Sequence, residues 1–144
     1  LNLKEKELQG ILRVSNTLHP QSNVVLPLNP FSPYDGIILT NGEEIGCEYK
    51  FRQKYSSFYL RVSLNNLLLL EQKKYNSLLE LKNRFDKLYY ITETNDNKIF
   101  VFDLEKTNFI KDRIDCPKST LWDRTYIKKD VYYIDTKDCI SIIH

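Results

Sequence analysis

Two adjacent residues, Asn41-Gly42, constrain the fold of this chain more than any others, because they separate two strand-like runs, Gly36-Ile-Ile-Leu-Thr40 and Glu43 to Phe51. A two-residue hairpin turn needs positive φ at both central positions, and Asn-Gly meets that demand at least cost. With these two as the turn, opposed residue numbers sum to 83: Thr40 faces Glu43, Ile38 faces Ile45, and Asp35 faces Glu48. Directly opposed side chains in an antiparallel pair have Cβ atoms about 5 Å apart, and like charges so placed destabilise a sheet. Strand alternation returns Lys50 to the face of Glu48 and sends Ile45, Cys47 and Tyr49 to the other, where Ile45 and Cys47 can join a core. The pattern predicts two anions and a cation on one face. A divalent ion such as Mg²⁺ would reconcile the two carboxylates, since it takes oxygen ligands, commonly one or two carboxylates with waters and phosphate oxygens. The plainer alternative is a pair of surface acids, with Glu48 paired to Lys50.

Around the hairpin the apolar spacing predicts further elements. Residues 3 to 18 carry Leu8, Ile11, Leu12, Val14 and Leu18 at helical intervals. The segment from His19 to Tyr34 holds four of the five prolines and is expected to be extended loop, with a short strand at Val24 to Leu26. Tyr55 to Val62 reads as a third strand and Ser63 to Phe85 as a long second helix capped by Ser63. Leu88 to Thr92 and Ile99 to Asp103 read as a strand pair around Asn95-Asp-Asn97. Short strands are expected at Val131 to Ile134 and Cys139 to Ile143, in an otherwise irregular tail.

At 144 residues the chain suits one domain with a real core. The longest wholly apolar run, Leu67 to Leu70, is far too short to cross a bilayer, so a soluble intracellular protein is expected, cytoplasmic or nucleoid-associated and without a membrane partner. Three widely spaced cysteines and two histidines do not make a paired zinc spacing, and a reducing compartment follows more simply. A formal net charge of +2 says little about nucleic acid, because phosphate affinity depends on where cations cluster.

Asp35 followed by Glu48-Tyr49-Lys50 on the next strand resembles the Asp…Glu-x-Lys motif of the PD-(D/E)xK nuclease superfamily. The order of elements from about Lys4 to Asp103 is similar to its αβββαβ core. The first helix, with Glu5-Lys-Glu7-Leu8, is similar to the acidic entry helix of archaeal Holliday-junction resolvases. Two details depart from the pattern: Tyr34 separates Pro33 from Asp35, and Gln72 to Tyr75 is one residue short of the Gln-x-x-x-Tyr element of RecB-type exonucleases. The resemblance implies a restriction-endonuclease-like α/β fold, a mixed central sheet flanked by helices, in a single nuclease domain over 1–144. Its core would run from about 4 to 103, and the irregular C-terminal extension, 104–144, would serve DNA contact or oligomerisation.

It further implies a Mg²⁺-dependent DNA endonuclease, with Mn²⁺ able to substitute and no small organic cofactor, of site-specific or junction-resolving type, acting as a homodimer or higher oligomer. Asp35, Glu48 and the main-chain carbonyl of Tyr49 would hold the metal. Lys50 would serve the attacking water and the phosphate, and Glu5, with Glu7 as substitute, would add an outer acidic ligand. An acidic first turn also suits the helix dipole, so a solvated helix face explains Glu5 and Glu7 equally well. Gln72 could reach the site from the second helix, although an exposed helix glutamine is the simpler account.

Arg52, Lys54 and Arg61 lie near the motif and could contact phosphates. The tail adds Lys111, Arg113, Lys118, Arg124, Lys128 and Lys129, interleaved with Trp122 and Tyr126, a mixture that suits nucleic acid and equally suits solvated charges around a partly buried Trp. A non-catalytic nucleic-acid-binding module and an RNA endonuclease are the competing readings.

Overall fold

A computed structural model describes residues 2–117 and 126–144. The first helix, α1 (Leu3–Leu18), starts at Asn2, whose side chain accepts the Glu5 N–H, and it turns Gly10, Ile11, Val14 and Ser15 inward. Three strands follow: β1 (Asn23–Val25), β2 (Gly36–Thr40) and β3 (Glu43–Arg52). They form an antiparallel meander in which Ile38 faces Ile45 and Thr40 faces Glu43, the register set by Asn41 (φ 48°) and Gly42 (φ 78°). A short helix α2 (Ser57–Val62), a strand β4 (Leu67–Glu71) and a helix α3 (Gln72–Lys82) then carry the chain to β5 (Lys87–Thr94). β5 runs parallel to β3 over eight paired positions.

Strand β6 (Ile99–Asp103) and the last strand, β9 (Ser141–Ile143), complete a six-stranded mixed sheet of order β1-β2-β3-β5-β6-β9. Between them the tail forms a hairpin of β7 (Phe109–Pro117) and β8 (Tyr126–Asp135), which captures β4 as a second sheet of order β4-β8-β7. Helices flank a mixed central sheet, so the chain is an α/β protein. Among the described residues, no helix is long and apolar enough to cross a membrane.

Both faces of the central sheet are covered, which is why β5 and β6 are buried almost throughout. Ile11 and Val14 of α1 pack on Ile38, Ile45, Cys47 and Ile91, while Leu60, Leu68, Leu78, Tyr90, Phe102 and Ile134 form the core on the opposite side, with α3 and the second sheet. α1 approaches β3 closely because position 10 carries no side chain. The Tyr49 ring lies across Gly10, and its hydroxyl donates to buried Glu93 (2.7 Å), which Lys6 (3.2 Å) and Arg13 (3.8 Å) also reach from α1.

Three expectations need correction. Residues 55–62 do not make a strand; Ser56 accepts the Tyr59 N–H and starts a helix that buries only Leu60. The third strand of the meander is β1, before the hairpin instead of after it. Nor is 63–85 one helix: Ser63 ends α2, Asn65 (φ 53°) and Asn66 (φ 62°) turn the chain, and Leu67–Glu71 is a strand that buries Leu68 and Leu70 and exposes Leu69. Finally, the extension is not irregular where it is described, since β7 and β8 pair over nine positions with Arg113 opposite Asp130 and Asp115 opposite Lys128.

Gly10 supplies a test of this packing. An added Cβ would stand 2.4 Å from Tyr49 Cε2, in a buried ring fixed at its hydroxyl end. Alanine's intrinsic helix advantage of about 1 kcal/mol is opposed by an overpacking cost of about 1–3 kcal/mol. Chemical denaturation of Gly10→Ala is expected to show a net loss of stability.

Candidate active site

The ladder between β2 and β3 ends at Gly36 opposite Cys47, one step short of the Asp35–Glu48 pair. Beyond that point Asp35 takes the place of a strand. Its backbone N–H donates to the Cys47 carbonyl (2.8 Å), and its Oδ2 accepts the Tyr49 N–H (2.7 Å), so Asp35 grips β3 on both sides of Glu48. A residue in an extended strand projects its N–H and C=O to one edge. The Tyr49 carbonyl therefore points to the edge where Asp35 sits.

Glu48 is 8% exposed and faces α3, from which Lys74 Nζ donates to its Oε1. Burial first, then the neighbouring Asp35 carboxylate, raises Glu48 to about 6, while the Lys74 ammonium pulls it down. Glu7 comes from α1, past the end of β2. Burial first, then contact with Asp35 and the charges of Asp35 and Glu48, lifts Glu7 to about 7. Three acids thus neighbour one another where β2 stops.

They are adjacent without forming a ready cage: among the described residues, no group of three His, Cys, Asp or Glu side chains is gathered tightly enough to hold an ion as it stands. Among the described residues, Lys74 is the one cation bonded to any of the three, and it bonds only Glu48. Carboxylate oxygens in partial burial, short of cationic partners, suit a hard divalent ion, which would take over Lys74's part at Glu48. Lys50 is exposed two residues beyond Glu48 and, among the described residues, has no carboxylate partner. Lys50 and Lys74 line the same groove.

Asp35 and Glu48 neighbour each other, and Lys50 follows on β3 two residues beyond Glu48. Glu5, favoured by resemblance, lies elsewhere: it accepts from Asn2 Nδ2 (2.9 Å) while its N–H donates back to Asn2 Oδ1 (2.9 Å). Asn2 is the N-cap and Glu5 its third helical residue, so Glu5 is held in the cap, a signal present in the sequence. Two residues of α-helix turn a side chain by about 200°, so Glu7 and not Glu5 faces the other acids. Gln72 is exposed at the start of α3 and lines a separate hollow with Arg113, Lys128 and Lys129. Lys74, two residues further on, meets Glu48. The sequence carries no signal for it, because an unbroken helix over 63–85 gives no phase that singles out Lys74.

Arg52 donates to the Tyr90 hydroxyl (3.0 Å) and the Leu69 carbonyl (3.4 Å), and Lys54 lines the same groove as Lys50. Arg61 lies over the exposed Phe58 ring, 5.6 Å from its centroid. In the tail, Arg113 (2.9 Å) and Lys111 (3.8 Å) pair with Asp130, while Lys118, Trp122 and Arg124 lie outside the described residues.

No family model matches the chain, and no curated protein matches it. Among solved structures it is similar to Hjc, a Holliday junction resolvase from the archaeal hyperthermophile Archaeoglobus fulgidus, with 13% identity, 88% of each chain covered and a TM-score of 0.47. The chemistry open to the site is set by its own groups.

The raised acids carry a stability consequence. Folded Glu7 holds its proton to about pH 7, against 4.5 ordinarily. Its contribution is present in full below the unfolded value and is lost as pH rises through the folded one. In EDTA the wild-type melting temperature should therefore fall between about pH 5 and pH 8, and Glu7→Gln should flatten that slope and melt higher than wild type at the alkaline end. Thermal melts across the range measure both effects.

Proposed function

We propose that this chain is a metal-dependent nuclease that hydrolyses phosphodiester bonds in DNA at the centre formed by Glu7, Asp35, Glu48 and Lys50. The observation that supports this reading is that Glu7, Asp35 and Glu48 neighbour one another where β2 stops, with Lys50 exposed two residues beyond Glu48 and, among the described residues, without a carboxylate partner. Glu7, Asp35 and Glu48, with the Tyr49 carbonyl, would hold Mg²⁺ or Mn²⁺. When bound, such an ion supplies Lewis-acid polarisation of the phosphate and a water of lowered pKa.

The chain's own groups do the rest. Asp35 is fixed by its two backbone bonds to β3, so its carboxylate is oriented before any substrate arrives, as transition-state stabilisation requires. Lys50 places its ammonium beside the phosphate, where it donates to a non-bridging oxygen as negative charge accumulates. It also orients the attacking water through the same Nζ. Lys74, released from Glu48, adds a second cation from the opposite wall. A chain with one such centre cuts one strand, so paired cuts in a duplex call for two copies.

Plasmid incubated with purified protein should be nicked in Mg²⁺ or Mn²⁺ and remain intact in EDTA. Asp35→Asn and Lys50→Ala should each lower the rate by about a hundredfold or more. Metal-independent activity, or full activity in both variants, would refute the proposal, and a parallel RNA substrate separates DNA from RNA cleavage.

A further inference from the structure

We infer that the groove between the central sheet and the second sheet binds an unpaired nucleic-acid strand and leads it past Lys50 and Lys74 to the carboxylate centre. This deepens the nuclease reading and rests on it for the destination of the strand, though not for the binding. The groove has a volume of about 1160 Å³ and is bounded by β3 and α2 on one side and by β4, β7 and β8 on the other.

Its charge is complementary to a phosphate backbone. Lys50, Arg52, Lys54 and Lys74 line it against two acids, Glu71 and Asp112. Arg52 is held in place by its bonds to Tyr90 and Leu69, and its buried Nε has no partner among the described residues. A guanidinium fixed in this way presents a positive charge to the groove, which suits a phosphate oxygen.

Its aromatic groups point to unpaired bases. Tyr55, Tyr59 and Tyr133 line the groove without being buried, and the Tyr55 and Tyr59 rings lie 5.9 Å apart. Leu69 and Ile110 add exposed apolar surface, at 38% and 49% exposure. In a duplex the base faces are covered by their neighbours, whereas an unstacked base offers a π-face to tyrosine and an apolar edge to leucine or isoleucine. A groove built for duplex backbone alone would have no use for these rings.

The wall is also rigid before binding. The Tyr55 carbonyl accepts the Asn95 N–H (3.1 Å), and Asp96 accepts the Ser57 N–H (3.0 Å), tying α2 to the turn between β5 and β6. The tyrosines are thereby held in position at little entropic cost.

Fluorescence anisotropy in EDTA tests the site without cleavage, using labelled oligothymidine, oligouridine and a duplex of equal length. The wild type should bind a single strand more tightly than the duplex. Tyr59→Ala, at an exposed position, should weaken that binding about fivefold or more, and Tyr59→Phe should retain it. Lys54→Ala should reduce the dependence of log affinity on log salt by about 0.7. Loss in Tyr59→Ala with either polymer supports the site, and the two arms report whether DNA or RNA is preferred. Duplex bound as tightly as single strand, or Tyr59→Ala binding like wild type, would overturn the inference. Plasmid nicking that persists without single-strand binding overturns the groove and leaves the nuclease standing; strand binding by a protein that never nicks does the reverse.

Discussion

The parallel pairing of β3 with β5 organises the molecule. Antiparallel neighbours can be joined by two residues, as Asn41-Gly42 joins β2 to β3, but a parallel neighbour requires a crossover that returns the chain to the starting end. Here the crossover is Gln53 to Asp86, and it includes a strand. β4 leaves the central sheet and pairs with β8, which brings the tail hairpin over the same face that α3 covers. Both α3, with Lys74, and the second sheet, with the far wall of the groove, are therefore consequences of one pairing.

The site sits where another pairing fails. β2 stops at Gly36, and the edge of β3 from Glu48 onward would carry unsatisfied backbone groups, a costly state for buried strand edges. Asp35 answers it at the Tyr49 N–H with a carboxylate in place of a strand carbonyl. A side-chain acceptor there leaves room on that edge, and α1 fills part of it with Glu7. The close approach of α1 depends in turn on Gly10 against Tyr49 and on the bond from Tyr49 to Glu93. Residues 7, 10, 35, 48, 49 and 93 thus form one mechanical unit, in which core packing fixes the distance between the acids.

The hairpin and its register were legible because positive φ at Asn-Gly is a local requirement that no tertiary contact overrides. The strand pair of β5 and β6 was legible from continuous apolar runs around Asn97, and α1 from its apolar spacing. The crossover was not. Tyr55 to Val62 has β-favouring residues, yet Ser56 caps a helix whose Phe58 and Val62 remain exposed, so burial did not follow propensity. Leu67 to Leu70 is too short for period alone to separate strand from helix. Asn65-Asn66, both at positive φ, was the available signal. The tail hairpin was obscured because charged residues interrupt its apolar ones, with Arg113 opposite Asp130 and Asp115 opposite Lys128, which leaves little apolar alternation to read. The choice between Glu5 and Glu7, and the place of Lys74, were hidden for a common reason: each lies on a helix whose phase relative to the sheet is set by packing.

Charge is distributed unevenly along the groove, and this couples its parts. Among its lining residues cations outnumber acids, whereas Glu7, Asp35 and Glu48 gather beside Lys74, which among the described residues is the one cation bonded to them. Under the proposed function, a phosphate backbone entering along the walls would be attracted until it neared Glu7, Asp35 and Glu48, where like charges in partial burial repel strongly. A divalent cation at that end reverses the sign of the local field. Strand binding and metal binding would then favour each other for electrostatic reasons, with Lys74 placed to serve either Glu48 or a phosphate.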